Sequence, residues 1–198
     1  MNKAEKTKQF IVEKTAPIFN KKGYAGTSLS DMTDATGLTK GSIYGNFTNK
    51  DEVALAVFDY NWKRVTGISR QEMDKRNTIK EKLLVYTEYD KFINFPVPMG
   101  GCPLLNTAIE ADDTHPLLKK KANEAFLAWK DKLTVLIEEG IRTKEFRDSI
   151  DPEQIALTII AMIEGGIMIS KLSGKPAYRS GIMSSLKKMI DDLAPASA

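Results

Sequence analysis

The chain has 198 residues, of which 42% are hydrophobic and 28% charged, and a formal net charge of +3. That is enough chain for a real core in one compact unit or two small ones, with the balance of an ordinary soluble globule. One Cys and one His exclude a disulfide framework and argue against a structural zinc site; no cofactor is implied, and a reducing cytoplasm is the default compartment.

The N-terminal stretch Met-Asn-Lys-Ala-Glu-Lys has no apolar core, so no signal peptide is expected. Residues 4–22 are predicted as a first helix with Ile11, Thr15, Ile18 and Phe19 inward. Pro17 removes one helical hydrogen bond and should bend or break it; Gly23 should end it, with Tyr24 packing on the next two helices. From Thr27 to Lys50 the pattern is two short helices hinged at Gly37. Thr27 or Ser28 is the natural N-cap of the first, with Asp31 placed to close a capping box. Leu29, Met32 and Ala35 share one face, and Gly37 can take the positive φ that ends a helix. Thr39 caps the second helix. Its apolar Ile43 and Phe47 are four apart, and its other face shows Lys40, Ser42, Tyr44 and Asn46. Helix, glycine turn, helix is the shape of a helix-turn-helix, whose second helix enters the DNA major groove. Charge agrees with this: residues 1–50 hold eight Lys against four acids, a net of +4, while the rest of the chain sums to −1.

Asn49 is expected to cap a long fourth helix, with Asp51 and Glu52 at its positive end and Leu55, Phe58 and Trp62 along one face. Thr78, with Glu81 three residues on, opens a helix over 79–95. The uncharged run from Phe92 to Ile109 contains three Pro and a Gly pair, so it is read as an irregular buried segment and not a membrane span. Pro103–Ala111 is a short apolar helix, and residues 112–116 form a polar turn in which His115 is expected at the surface. A long helix over 117–140 should end at Gly140. Another over 152–172 opens with Asp151 as cap and Pro152 at its first position. Residues 173–176 break it, and a last helix spans 179–193. No stretch alternates as a strand would, so the fold class is all-α.

The order Gly23-Tyr24, Thr27-Ser28, Gly37 through Tyr44, Phe47 and Asn49-Lys50 closely resembles the DNA-binding domain of the tetracycline-repressor (TetR/AcrR) family. The resemblance is specific over roughly residues 5–60; beyond them it rests on length and helical character. Many relatives carry an aromatic or His where this chain has Gly45-Asn46, so contacts made by those side chains do not carry over. The resemblance implies a DNA-binding domain over 1–50, a linking helix over about 50–75, and a helical ligand-binding and dimerisation domain over 76–198. It also implies that tilting the linking helix moves the recognition helix.

Within the motif, Lys40 and Ser42 are expected to meet base edges, Lys being able to donate to guanine O6 and N7, and Gly41 lets the backbone approach closely. Thr27, Tyr44 and Lys50 resemble positions that grip phosphates; Ser28, Thr39 and Asn46 complete the candidate contacts. The helices over 117–140 and 152–172 are apolar over more than one stripe, for which core and interface are both outlets; the resemblance implies a four-helix dimer bundle, and Gly165-Gly166 would allow close approach across it. A homodimer would read an inverted-repeat operator, one recognition helix per half-site.

For an unidentified small-molecule effector, the candidate lining is Trp62, Tyr89, Phe92, Phe95, Cys102, Phe126, Trp129 and Met162, because ligand pockets are largely apolar. The expected function is a ligand-responsive repressor, not an enzyme, with no membrane partner. Two alternatives centre on Cys102: a sensor of electrophiles or oxidants, since a thiol near a helix N-terminus can be reactive, and a small helical thiol-dependent enzyme.

Overall fold

The computed structural model describes residues 2–88 and 100–195. It is 79% helical and shows no strand among those residues, so the all-α class holds. In chain order the helices are α1 (Lys3–Gly26), α2 (Leu29–Thr36), α3 (Lys40–Tyr44), α4 (Lys50–Met73) and α5 (Ile79–Leu84), which a 3₁₀ turn (Val85–Glu88) extends. After the next described residues come α6 (Pro103–Ala111), α7 (Pro116–Arg142), α8 (Pro152–Ser173) and α9 (Pro176–Asp191).

Most starts and stops have local causes. Ser28 caps α2 in a reciprocal box with Asp31, and Thr78 caps α5 in the same way with Glu81. The Thr39 hydroxyl accepts from Ser42 N, and Asp151 accepts from the amides of Glu153 and Gln154 at the head of α8. Gly37, at φ 67°, supplies the left-handed residue between α2 and α3. Thr27 is the last residue of the preceding turn and not a cap of α2.

Several expectations change. α1 runs through Pro17 without interruption; the only non-helical backbone inside it is at Gly23 (φ 75°, ψ 178°), a crank after which one more turn follows. The helix expected over 79–95 leaves α geometry after Leu84, where the Thr87 hydroxyl donates to the Leu84 carbonyl three residues back, within the tighter turn. Gly140 does not end α7. It lies inside the helix because the returning Phe146 occupies the space of its missing side chain, and the chain reverses at Lys144 (φ 63°). Pro176, read as part of a breaker, is the first residue of α9, where its missing N–H costs nothing.

Contacts group the chain into two compact units that cross its linear order: residues 1–65 with 95–125, and residues 66–94 with 126–198. The core of the first is Ile11, Val12, Phe19, Met32, Ile43, Phe47, Val53 and Val57, joined by Ala111 of α6 and Leu118 of α7. In the second, α8 and α9 pack along each other, and α9 also packs on α5. Leu133, Ile137, Phe146, Ile159, Leu186 and Ile190 are fully buried there. A Cβ on Gly166 would meet Met183, Arg179 and Ile182 of α9 at ordinary contact distances of 3.4–3.7 Å, so Gly166 faces α9 of its own chain; Gly165 has open space around it.

Candidate nucleic-acid interface

The first unit presents α3 by burying one side of it. Ile43 of the helix is 0% exposed and Phe47, expected to continue it but placed in the turn after its end at Tyr44, is 3% exposed; the cap Thr39 with Lys40 and Gly41 faces fully outward, and Ser42 and Tyr44 are half exposed. Among the described residues no ion pair engages Lys40, which leaves its three ammonium donors to solvent or a ligand. A Cβ on Gly41 would have nothing nearer than 3.9 Å, so the backbone there is open from outside. Asn46 is half exposed and donates to the Ser42 carbonyl at 2.9 Å, closing the C-terminal end of α3.

Two of the candidate contacts have local duties. Thr27 is fully buried and its hydroxyl donates to the Gly23 carbonyl at 2.6 Å, so its side chain does not face the exposed side. Ser28 is exposed, but its hydroxyl and amide both engage Asp31. Asp31 also takes the Lys22 ammonium at 2.6 Å. That lysine, followed by the Ser28 donors, holds the Asp31 carboxyl down at about 2.

The start of α4 is built as an anchored end. Asn49 Oδ1 accepts from Glu52 N at 2.9 Å and Glu52 accepts from Thr48 N at 2.6 Å. Lys8 reaches from α1 to Glu52 at 3.2 Å and lies over the Phe47 ring. Lys50 projects beside this corner with its ammonium 4.3 Å from the Tyr24 ring centroid.

Tyr24 is held on several sides. Its hydroxyl donates to Asp51, its ring meets the edge of His115 at 4.4 Å between centroids, and its backbone amide donates to Glu110 of α6. The bond to Asp51, helped by desolvation, pushes the Tyr24 hydroxyl up to about 12 and holds the Asp51 carboxyl below its ordinary value. His115 is a packed residue and not a solvated turn residue as expected. Its Nδ1 accepts from Leu118 N at 3.2 Å, capping α7, and its Nε2 lies 3.4 Å from Asp51 Oδ1. Sequence reasoning placed Tyr24 against the motif but missed Glu110 and His115. Their one available signal was two polar residues flanking a turn at the end of an apolar helix.

The effector candidates are divided between the units. Trp62, half exposed on α4, and Cys102, buried just before α6, belong to the first; half-buried Phe126 and Met162 and buried Trp129 belong to the second. Tyr89, Phe92 and Phe95 lie outside the described residues. Trp129 Nε1 donates to the Tyr86 hydroxyl at 3.1 Å, and burial pushes that hydroxyl up to about 12. Tyr86, absent from the expected set, thus places a hydroxyl beside the buried Trp129 ring.

On the outer face of α8, Leu157, Met168, Ile169 and Leu172 are exposed, Leu172 by 86%; Leu127 and Val135 of α7 are exposed too. α8 is long and apolar enough to cross a membrane by length and composition, with mean hydropathy 1.8 and only 28% of that stretch buried.

Comparison with known proteins agrees with this geometry. Residues 11–57 match the model for bacterial regulatory proteins of the tetR family, and residues 82–186 match a tetracyclin repressor-like C-terminal domain. The chain is 30% identical over 181 residues to an "Uncharacterized HTH-type transcriptional regulator in lacX 3'region" of Lactococcus lactis subsp. lactis, covering 84% of each. A crystal structure of a TetR-family transcriptional regulator from Cytophaga hutchinsonii superposes with a TM-score of 0.96 at 49% identity, covering 100% of this chain and 99% of that one. A TetR transcriptional regulator from Chloroflexus aurantiacus superposes with a TM-score of 0.88 at 34% identity, covering 96% and 97%.

Proposed function

This chain belongs to the tetR family of bacterial regulatory proteins, a family of DNA-binding transcriptional regulators, and on that premise we propose that it is a cytoplasmic homodimeric repressor released from an inverted-repeat operator by a small molecule. The observation that carries the reading is the two-sided stretch of α3 and the turn after it: Ile43 and Phe47 locked in the core, Lys40, Gly41 and Ser42 turned out, within the first 50 residues, which hold the positive excess.

In this reading Lys40 and Ser42 read base edges across the opening left at Gly41, and Tyr44, Lys50 and Ser28 position the protein on phosphates. Thr39 and Asn46 keep α3 in shape, and Thr27 supports the Gly23 crank from inside. Residues 1–50 carry the DNA-reading surface, α4 acts as the link, and within the expected 76–198 domain the second unit supplies the effector and dimer contacts. The exposed apolar faces of α7 and α8 supply the dimer contact: burying Leu172 and its neighbours against a second copy removes the surface that one chain leaves in water. The effector enters the second unit near Trp129 and Tyr86, whose hydroxyl supplies a fixed polar point. Coupling between effector and operator of this kind amounts to about 1–3 kcal/mol.

Cys102 sits at the N-cap position of α6, where a thiolate gains from the helix dipole, and it is 9% exposed. A sensing role requires that an oxidant or electrophile reach it in the folded protein. Mass spectrometry after mild peroxide treatment decides this, and an unmodified Cys102 removes that reading.

The test of the main reading is selection of bound duplexes from a random library, with Lys40→Ala in parallel. An enriched inverted repeat that blurs at some positions in the variant supports it. No enrichment at low salt from folded, effector-free protein overturns it.

A further inference from the structure

The crank at Gly23 breaks α1 where the DNA-binding motif begins, and helix α6 supplies what the break removes. In a continuous helix the Tyr24 amide would bond to the Asn20 carbonyl. Here it donates to Glu110 Oε2 at 2.7 Å, and the next amide, of Ala25, donates to Glu110 Oε1 at 2.8 Å. The abandoned Asn20 carbonyl accepts from Asn106 Nδ2 at 3.0 Å, and the Asn20 side chain donates to the Gly101 carbonyl at 2.9 Å. Both halves of the broken turn are thus satisfied by α6 and the two glycines before it. Backbone groups at a half-buried break need such partners, or the break costs their full desolvation. The fit is close: a Cβ at Gly23 would come within 2.4 Å of the Glu110 carboxylate, and one at Gly100 within 2.5 Å of the Asn20 carbonyl.

The clamp leads to the DNA-facing side through one residue. Glu110 fixes the backbone of Tyr24, whose ring carries the Lys50 ammonium 4.3 Å from its centroid and whose hydroxyl engages Asp51 in the first turn of α4. We propose that Glu110 is a positioning residue for DNA binding: through Tyr24 it sets where Lys50 stands against the phosphate backbone. The proposal rests on the reading of the first unit as a DNA-binding head.

The test is a double-mutant cycle in the full-length chain with Glu110→Gln and Lys50→Ala, measured on two probes. These are the inverted repeat enriched from the random library and a scrambled duplex of equal length at low salt. Glutamine keeps the shape but offers one acceptor oxygen to two amides, so exchange of the Tyr24 and Ala25 amides should quicken in Glu110→Gln. Affinity of that variant should fall about tenfold on both duplexes alike, as for a lost phosphate contact, with the salt slope reduced by about one. Added to Lys50→Ala, the same change should cost less than about twofold, because the lysine it positions is already gone. General weakening of the fold would instead add in full to Lys50→Ala. Additive losses, an unchanged affinity, or unchanged exchange of the two amides each overturns the proposal. A wild-type chain that binds neither duplex removes the DNA-binding reading itself, and that result appears before any variant is made.

Discussion

The Phe146 ring fills the place where a side chain at Gly140 would stand; a Cβ there would lie 2.3 Å from it. Phe146 is 1% exposed and its amide donates to the Gly140 carbonyl at 3.0 Å, so ring and backbone are both committed to this position. Gly140→Ala would gain helix propensity but must displace a buried aromatic. The clash wins, and we expect a net loss of about 1–3 kcal/mol. Urea unfolding with an unchanged slope and a lower midpoint would show it; an equal or higher midpoint would mean that the ring moves aside freely.

Lys40 is exposed and engages no ion pair among the described residues, so Lys40→Ala should alter stability by less than about 0.5 kcal/mol. Its effect belongs to recognition. Discrimination at the bases it reads should drop by about 1–3 kcal/mol, whereas Lys50→Ala should weaken all sequences evenly. Comparing selected-sequence profiles of the two variants separates the roles, and a uniform loss for Lys40→Ala would remove it from base reading.

The Asp31 carboxyl is held at about 2, against an ordinary value of 3.8, by Lys22 first and then by Ser28. A depressed carboxylate stabilises the folded state above its unfolded value and loses that contribution as pH falls through its folded one. The thermal-midpoint gap between the wild type and Asp31→Asn should therefore be widest above about pH 4 and close toward about pH 2. A gap that stays constant through that window would show that the charge is not what Asp31 supplies.

Leu172 is 86% exposed, so changing it should disturb little packing among the described residues. Leu172→Glu should leave the melting of the isolated chain near the wild type's while shifting sedimentation toward a monomer and weakening binding to an inverted repeat. An unaltered dimer would move the interface off this end of α8.

What could be read from the sequence was mostly local. Gly37, the Ser28–Asp31 and Thr78–Glu81 boxes and the Asp151-Pro152 start act over three or four residues, so their spacing alone identifies them. The burial of Ile43 and Phe47 followed from their spacing, although α3 ends at Tyr44 and Phe47 is buried from the turn beyond it. What escaped depends on partners far along the chain. Glu110 lies 86 residues from the Tyr24 amide it accepts, and His115 lies 64 residues from Asp51. Gly140 and Pro176 carry turn-forming chemistry that packing put to other use. Each glycine or proline is permitted in a turn, yet only the neighbour across the core decides whether it makes one.

The chain passes between its two compact units after residues 65, 94 and 125, the first of these inside α4 and the last inside α7. A gene fragment ending after residue 65 would encode the whole helix-turn-helix yet omit Ala111 and Leu118 from its core and Glu110 and His115 from its corner. Such a fragment should purify as a loosened, protease-sensitive head. For the same reason, exchange of heads between related regulators by a single crossover would splice mismatched halves of one core, and productive chimaeras need two exchanged segments instead of one.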